Sequence, residues 1–497
     1  MRDLVLTLFI LGMMPLAFYN PRVGLLLWAW VGYMNPHRLT WGFAYNYRFV
    51  YFIAIITLAG MLFSPKARVR VPWTSVTIVL MLFIAWTSIT TQFAINPVAH
   101  WEWNRFMKIQ IMTMAILLLI YERRWLHYLV WVLVVSIGFW GMKGGIFTIL
   151  TGGSFRVYGP QGSFFYDNNA MALALIVVVP LMRYLQLYTR SKALRLLLWV
   201  MIITSMAAIV GTYSRGGAVG ASVLLLFFWW KSRSRWFTMF FVVIVMIPLL
   251  AFMPPKWKDR MGSIVGFTQG EQKITADASA AGRINAWWFA FNLAKDRPFV
   301  GGGFQVFQPS NFLRYAPNPH QYHDAHSIYF EVLGEQGFVG LVLFLLIFLF
   351  SFRLGNKAIK IGTRLEGAMW GRDLSAMIQV GLVGYAASGA FLGLAYFDLP
   401  YTLVAMLVTN YLYLKNQEEQ QLANPEQYRY QAQRRTRLIQ EKAGPGGILG
   451  RPAAQPVATS TATILGSGFD MVLKKGQYQK PKGSIFTQNN NALSRTK

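Results

Sequence analysis

Three of the chain's six histidines lie close together in the segment NPHQYHDAHSIYF, at His320, His323 and His326. The spacing H-x2-H-x2-H could serve a zinc site, with Asp324 as an oxygen ligand, because zinc takes nitrogen and oxygen ligands in a tetrahedron. Two prolines before the cluster favour a loop, in which this spacing does not ensure that the rings converge. A single general base is the alternative, since the pKa of histidine lies near neutral pH. His326 is the best placed, because it immediately precedes a predicted helix.

Two arginines stand where a phosphate-bearing ligand could use them. Arg215, in GTYSRGGAVG, lies between two apolar runs. We interpret it as an anion-binding arginine at the outer membrane surface; a turn arginine that snorkels to the interface is the alternative. Arg283, in AAGRINAWW, is expected at the start of a loop helix, where helix N-termini and guanidinium groups both favour phosphate. A solvated face of an amphipathic helix is the alternative for Arg283. The glycines of DRPFVGGGFQVF lack a P-loop lysine and are predicted to shape a turn.

The loops predicted to face outward contain no D-x-D motif and no adjacent acidic pair, and residues 35–47 contain no carboxylate. A metal-dependent sugar transferase is expected to hold its cation with carboxylates. Carboxylates are only scattered on this side, among arginine, lysine and histidine. The pattern predicts an anionic, phosphate-bearing substrate that is neutralised without a metal or another cofactor.

The elements that must position these residues are predicted to be membrane helices. The chain has 497 residues and only 13% of them are charged, whereas soluble domains carry about 25%. It contains no cysteine, which excludes disulfides and thiolate chemistry. Continuous apolar runs are long enough to cross a bilayer as helices; they include residues 75–94, 129–150, 196–212, 236–253 and 328–352.

The formal net charge of +28 is better explained by basic cytoplasmic loops than by nucleic-acid binding, since lysine and arginine hold membrane topology. Successive basic clusters are separated by two apolar runs, which places the intervening loops outside. The first two runs, residues 4–19 and 23–33, are interpreted as one broken element, because the second is too short to cross alone. About twelve transmembrane helices and an internal N-terminus follow; thirteen helices and an external N-terminus are the alternative.

The predicted organisation has four parts. N-terminal transmembrane helices occupy residues 1–253, a large outward loop residues 254–325, C-terminal transmembrane helices residues 326–414 and a basic cytoplasmic tail residues 415–497. The tail is expected to extend as a helix to about residue 442 and then to be disordered. Within the loop, GRINAWWFAFNLAKDRP is predicted to form an amphipathic helix; its apolar face contains Ala286, Phe289, Ala290 and Leu293.

Four segments, in order, resemble the O-antigen ligase and polymerase superfamily. They are GPQGSFFYDNNAMALALIVVVPL, TYSRGG, GRINAWWFAFNLAKDRPFVGGGFQVF and HSIYFEVLGEQGFVGLVLF. The resemblance covers roughly residues 156–344. The N-terminal segment NPHRLTWGFAYN is similar to ligase-like members associated with exosortase gene clusters. One departure is Ala325, because proline or asparagine often precedes the family's histidine; His320 and His323 are additions without a counterpart.

The resemblance implies an all-α polytopic membrane protein, similar to GT-C-like glycosyltransferases, with a large periplasmic loop between two late helices. It implies an O-antigen ligase of the bacterial inner membrane that transfers a glycan from undecaprenyl pyrophosphate to lipid A–core at the periplasmic face, without metal. By position, His326 is the base and Arg215 and Arg283 bind the pyrophosphate. Further substrate contacts are predicted at Arg156, Asn169, Tyr213, Arg297, His320, His323 and Lys143.

Other functions remain open at this point. A chain polymerase and a protein O-oligosaccharyltransferase of the same superfamily differ from a ligase in acceptor, and the sequence does not separate them. A transporter of the same lipid is expected to place broken helices and ionisable residues at the bilayer midplane, in related repeats. No internal repeat is visible, and Lys143 is the one charge predicted within a helix end. The long loop with clustered basic residues disfavours a purely structural scaffold.

Overall fold

The computed structural model of the protein describes residues 1–64, 69–231, 235–262 and 271–423. These residues form sixteen α-helices and two short 3-10 helices, and they contain no β-strand. Two sequence predictions lie outside the described residues: the helix extension and tail beyond residue 423, and the basic positions Lys66, Arg68 and Arg233.

Each predicted apolar run corresponds to an α-helix, and further α-helices lie between these runs. In chain order they are α1 (Arg2–Tyr19), α2 (Pro21–Met34), α3 (Phe49–Phe63), α4 (Ser75–Gln92), α5 (Ala99–Leu119), α6 (Arg123–Leu150), α7 (Asn168–Tyr188), α8 (Lys192–Gly211), α9 (Arg215–Lys231), α10 (Arg235–Phe252), α11 (Pro255–Gly262), α12 (Glu271–Asp296), α13 (Pro309–Tyr315), α14 (Ile328–Arg364), α15 (Met369–Gly389) and α16 (Asp398–Ala423). The 3-10 helices are Pro36–Leu39 and Phe43–Asn46.

Six of the described helices are long and apolar enough to cross a membrane: α1, α4, α6, α7, α8 and α14. Helices α3 and α9 are shorter and apolar. Helix α7 is buried along most of its length and packs against α6, α8 and α15, while α14 packs against α4, α15 and α16. These helices indicate a multi-pass, all-helical membrane protein.

The N-terminal hairpin differs from the single broken element that the sequence suggested. Asn20 is extended, with φ −129° and ψ 92°, because a residue before proline disfavours the helical conformation. Pro21 then begins α2, and the chain folds back on itself. The Asp3 carboxylate accepts hydrogen bonds from the backbone of Gly42 and Ala44, beyond the end of α2, at 3.0 and 3.1 Å. Since the chain start lies beside this loop, the predicted internal N-terminus loses its basis.

Loops that were predicted to face outward meet at one end of the helical bundle. The Tyr45 hydroxyl donates to the Gln161 side chain at 2.9 Å, which joins the loop after α2 to the loop after α6. Asn96 donates to the Gln305 carbonyl at 3.1 Å, which joins the loop after α4 to the segment after α12. The grouping of these loops agrees with the alternation of the basic clusters along the sequence.

Helix α14 is interrupted at Gly337, which has φ 69° and ψ −172°. The interruption leaves carbonyl groups without helical partners. The turn after α12 satisfies two of them: the N–H groups of Gly302 and Gly303 donate to the carbonyls of Gly334 and Glu335, each at 2.8 Å. The prediction that the glycine cluster shapes a turn is confirmed, and the turn docks into the interruption of α14.

The predicted amphipathic helix is confirmed as part of α12. Its apolar face is fully buried and forms a separate small core together with α13 and the histidine segment. The members of this core are Ala286, Phe289, Ala290, Leu293, Val306, Phe307, Phe312, Tyr315 and Ala325. Helix α12 is therefore a platform on which the segment before α14 rests.

Candidate active site

The histidine segment is attached to α12 by two side chains. The buried Asn285 amide donates to the carbonyls of Asn318 and Gln321, both at 2.9 Å, and accepts from the Asn318 N–H at 2.8 Å. The Trp287 indole donates to the Ala325 carbonyl at 2.9 Å. These bonds fix both ends of the segment that carries the three histidines.

His326 lies at the end of this segment, half-buried, immediately before Ser327, which is the N-cap position of α14. Its φ of 40° is in the left-handed region, which non-glycine residues rarely adopt. The His323 ring stands edge-on to the His326 ring, with 4.8 Å between ring centroids. Strained backbone that the surroundings hold in place is typical of functional residues.

The environment of His326 favours its neutral form. Burial lowers its pKa from the ordinary value of 6.5, and the positive charges of His323 and Arg283 lower it further. The carboxylates of Asp324 and Asp167 act in the opposite direction, and the pKa remains below the ordinary value. A neutral imidazole at pH 7 can accept a proton, as a general base requires.

Helix α12 packs closely against His323 at Gly282, and this contact brings Arg283 near the histidines. A Cβ atom at Gly282 would lie 2.9 Å from the His323 ring, so no larger residue fits there without a shift. Arg283 is the next residue, and its charge acts on the pKa of His326. The Arg283 Nε atom is buried and forms no hydrogen bond with another described residue.

Four arginines from separate parts of the chain form one arginine group beside the histidines. They are Arg156 after α6, Arg215 at the start of α9, Arg260 in α11 and Arg283 in α12. Burial lowers the pKa of Arg260 most, and the charges of the other three lower it further. The pKa of Arg283 is lowered by burial and then by Arg215. Like charges that interact in this way repel each other, and a bound anion relieves the repulsion.

Arg215 and Arg283 lie in local structures that differ from those expected from the sequence. Arg283 was expected at a helix N-terminus, but α12 begins at Glu271, so Arg283 lies about three turns inside the helix. Arg215 was expected in a turn and is the first residue of α9. The Ser214 hydroxyl accepts from the Gly217 N–H at 2.9 Å and caps this helix. The helix dipole therefore adds positive potential at Arg215 rather than at Arg283.

Arg260 was missed by the sequence analysis. Its Nε donates to the Tyr213 carbonyl at 2.9 Å, which fixes it beside the start of α9. The signal was present in PKWKDRMG, where three basic residues follow an apolar run on the side that needs no positive charge for topology.

The predicted contact Asn169 lies close to the histidines through its neighbour Asp167. The Asp167 carboxylate accepts from the backbone and side chain of Asn169, at 2.9 and 3.0 Å, and its charge acts on the pKa of His326. Asn168 donates to the Thr212 carbonyl at 2.7 Å and ties the start of α7 to the turn before Arg215.

Four other predicted contacts are placed differently. The buried Tyr213 donates its hydroxyl to the Gly153 carbonyl and so holds a loop. Arg297 follows the C-terminal end of α12, roughly 20 Å from Arg283 along the helix axis. Its guanidinium donates to the Phe93 carbonyl. His320 is exposed. Lys143 is exposed on α6, 5.0 Å from the Trp140 ring.

Carboxylates that look scattered in the sequence converge in the structure. A cavity of about 430 Å³ lies next to the histidine segment and is lined by Glu102, Asp324, Glu331 and Glu335, with Arg105 as its basic member. We call it the acidic cavity. The sequence separates these residues over three elements, so their convergence could not be read from spacing. In the part of the chain that the structure describes, no group of three or more histidines, aspartates or glutamates is arranged to hold a metal ion.

Comparison with known families divides the chain into two matched regions. A family model described as O-Antigen ligase matches residues 196–345. A model described as a family of unknown function (DUF5935) matches residues 1–190. Comparison with curated proteins returned no match. Three members of the arginine group and His326 fall within the first match, and Arg156 falls within the second.

Proposed function

Because the chain belongs to the O-antigen ligase and polymerase superfamily, we propose that it transfers a glycan from undecaprenyl pyrophosphate to a hydroxyl of lipid A–core. The family indicates a glycosyl-transferring membrane enzyme with lipid-linked glycans as partners. We place the reaction at the periplasmic face of the bacterial inner membrane, without a metal ion or cofactor. The proposal depends chiefly on one observation: the arginine group adjoins a half-buried histidine whose pKa is lowered.

His326 suits the activation of the acceptor hydroxyl, and the arginine group suits the departure of the pyrophosphate. A ring nitrogen of His326 accepts the proton of the acceptor hydroxyl as its oxygen attacks the anomeric carbon. The bond from that carbon to the pyrophosphate oxygen breaks, and its electron pair leaves with the pyrophosphate. Fixed guanidinium groups stabilise this developing charge and bind its oxygens. Attack opposite the leaving group inverts the anomeric configuration.

The same chemistry serves other acceptors. A polymerase uses a second lipid-linked glycan, and a protein glycosyltransferase uses a side-chain hydroxyl. The discriminating experiment offers purified full-length protein a defined undecaprenyl-pyrophosphate glycan with lipid A–core, a second donor molecule and a protein together, in the presence of a chelator. We expect the glycan on lipid A–core. Its appearance on another acceptor would replace the ligase assignment, and loss of transfer that zinc restores would overturn the metal-free mechanism.

Replacing the base tests the catalytic assignment. We expect His326→Ala to lower kcat by about 10²–10⁴-fold, the usual contribution of a general base, while binding of the lipid-linked donor is retained. The measurement is single-turnover transfer together with donor binding in the same preparation. His320→Ala is the matched control, because His320 is exposed and its backbone, not its ring, bonds to Asn318. Equal rates for the two variants would refute the assignment of His326.

A further inference from the structure

The acidic cavity is a built site rather than an open acidic surface. Its walls combine carboxylates with aromatic rings, and it has the size of small-molecule sites, which measure about 300–1,000 Å³. The aromatic lining comes from five separate parts of the chain and includes Phe106, Phe164, Phe304, Tyr322, Tyr396 and Phe397. Mixed carboxylate and aromatic walls suit a carbohydrate, because hydroxyls donate to carboxylates and the C–H faces of a sugar pack on rings.

The carboxylates differ in their partners. Glu102 is paired with Arg105 at 3.5 Å, and the guanidinium lies 4.1 Å from the centre of the Phe164 ring. Asp324 and Glu331 converge on Gly393, whose missing Cβ would lie 3.3 Å and 3.6 Å from their oxygens. Glu331 accepts one hydrogen bond, from the Ala395 N–H at 2.9 Å. The carboxylate oxygens on this wall can therefore accept further hydrogen bonds.

Glu335 provides the second observation that points to a ligand. It is only 5% exposed and lines the cavity. One carboxyl oxygen accepts from the Gln305 N–H at 2.8 Å. The other is buried and forms no hydrogen bond of good geometry with a described residue, although the Tyr396 hydroxyl lies close to the carboxyl group. A buried carboxyl oxygen with incomplete hydrogen bonding is costly, and a ligand hydroxyl would complete it.

His326 is influenced both by the acidic cavity and by the arginine group. Asp324 lines the cavity and acts electrostatically on His326, as Arg283 does from the arginine group. The proposed base therefore has an anionic neighbour that belongs to the cavity and a cationic neighbour that belongs to the arginine group. An acceptor in the acidic cavity would have its hydroxyl next to the segment that carries the base.

We propose that the acidic cavity binds the acceptor sugar and that its carboxylates select uncharged sugars against anionic ones. This inference rests on the proposed function, because it assigns the acceptor to a site beside the same base. Like charges placed together at an interface repel each other, so a carboxylate or phosphate on the sugar residue inside the cavity would weaken binding. The selectivity concerns only this residue and not charged groups elsewhere in the acceptor.

The test uses two probes that differ by one carboxylate, methyl β-glucoside and methyl β-glucuronide. Full-length protein in lipid nanodiscs, without donor, is titrated with each sugar at pH 7 and followed by saturation-transfer NMR. We expect the glucoside to bind and the glucuronide to bind at least about fivefold more weakly. Asp324→Asn, which preserves shape and removes a carboxylate from the cavity wall, should narrow this ratio. Gly393→Val, which fills the cavity from its wall, should abolish binding of both.

The outcomes separate this inference from the function itself. Binding needs no donor, so selective binding without any transfer supports the site and refutes the transferase assignment. In a preparation that does transfer, the glucoside should raise the KM for acceptor and leave the KM for donor unchanged. Equal binding of the two sugars, unchanged selectivity in Asp324→Asn, or tight binding of a polyamine such as spermidine in place of the sugar would overturn the inference while transfer stands.

Discussion

At the scale of single residues, the site depends on how neighbours set the proton affinity of one imidazole. His326 combines burial with two cationic and two anionic neighbours, and the sum lowers its pKa. The base form is therefore populated at neutral pH and is lost only when the pH falls through the lowered pKa. The acid limb of the transfer rate should lie below pH 6.5, the ordinary value for histidine.

Two substitutions should move this limb in opposite directions. Asp324→Asn removes one of the two carboxylates that raise the pKa of His326, so the limb should shift to lower pH. His323→Gln removes a charge that lowers the pKa, so the limb should shift to higher pH. Both shifts are measured as the pH dependence of kcat/KM. If the acid limb lies at the same pH in both variants as in the unsubstituted protein, a group other than His326 limits the rate.

The sequence identified residues that are conspicuous by their type and by the residues beside them in the chain. No knowledge of their neighbours in space was needed. Arg215, Arg283 and His326 stand out because charge is rare on the outward side of a membrane protein. Arg260 and the carboxylates of the acidic cavity did not stand out, since their role depends on neighbours distant in sequence. Tyr213 shows the reverse error: it belongs to a conspicuous segment, but its hydroxyl is used by the Gly153 carbonyl.

At the scale of elements, α12 both carries Arg283 and positions the segment of the proposed base. Three hydrogen bonds with Asn285 hold the histidine segment, and the apolar face of α12 forms the small core beneath it. Periodicity predicted this face, because burial of every third or fourth residue is visible in sequence. The partner of the face was not visible, because contacts between elements leave no periodic signal.

Asn285→Ala should loosen the histidine segment and leave the bundle intact. We expect kcat to fall by at least about tenfold, since small displacements of a catalytic group are costly, with donor binding little changed. Asn292→Ala is the matched control: Asn292 lies on the same helix and donates to the Tyr315 carbonyl at 2.9 Å, away from the histidines. Transfer kinetics and thermal unfolding of both variants provide the measurement, and equal losses of activity would contradict a positioning role.

The interruption in α14 makes a stability prediction. An alanine Cβ at Gly337 would lie 2.4 Å from the Phe299 carbonyl oxygen, in addition to the strain of a φ of 69°. At Gly367 the φ is 71°, but no atom lies within 4 Å of the added Cβ. We expect Gly367→Ala to cost about 1–2 kcal/mol and Gly337→Ala clearly more. The measurement is the Tm of both variants by thermal unfolding in detergent. Equal Tm values would show that the turn accommodates the added methyl group at Gly337 without an extra loss of stability.

At the scale of the whole molecule, hydropathy predicted the helices well, because lipid leaves the backbone little choice but to form them. It failed at the N-terminal hairpin, where α2 is too short to look like a span and Asn20 and Pro21 decide the direction of the chain. Hydropathy measures the length of a run, whereas the reversal depends on one dipeptide. The tail beyond residue 423 stays a prediction.

The absence of native cysteine allows a direct test of topology. Single-cysteine variants Arg2→Cys, Ser154→Cys and Lys192→Cys are labelled in intact cells with an impermeant maleimide. The hairpin places Arg2 at the same end as Ser154, so both should react, whereas Lys192 should react only after permeabilisation. Labelling of Ser154 without Arg2 would restore the single broken element at the N-terminus.

The interruption at Gly337 also has a mechanical consequence. The short first section of α14 carries His326 at its upper end and is held at its lower end by the glycine turn, not by a continuous helix. Changes in bilayer thickness tilt the long membrane section of a helix. Because the helix is interrupted at Gly337, a tilt of the lower section need not pass to the upper section, which is bonded to the turn through Gly302 and Gly303. The proposed proton acceptor would then keep its position when the thickness of the bilayer changes.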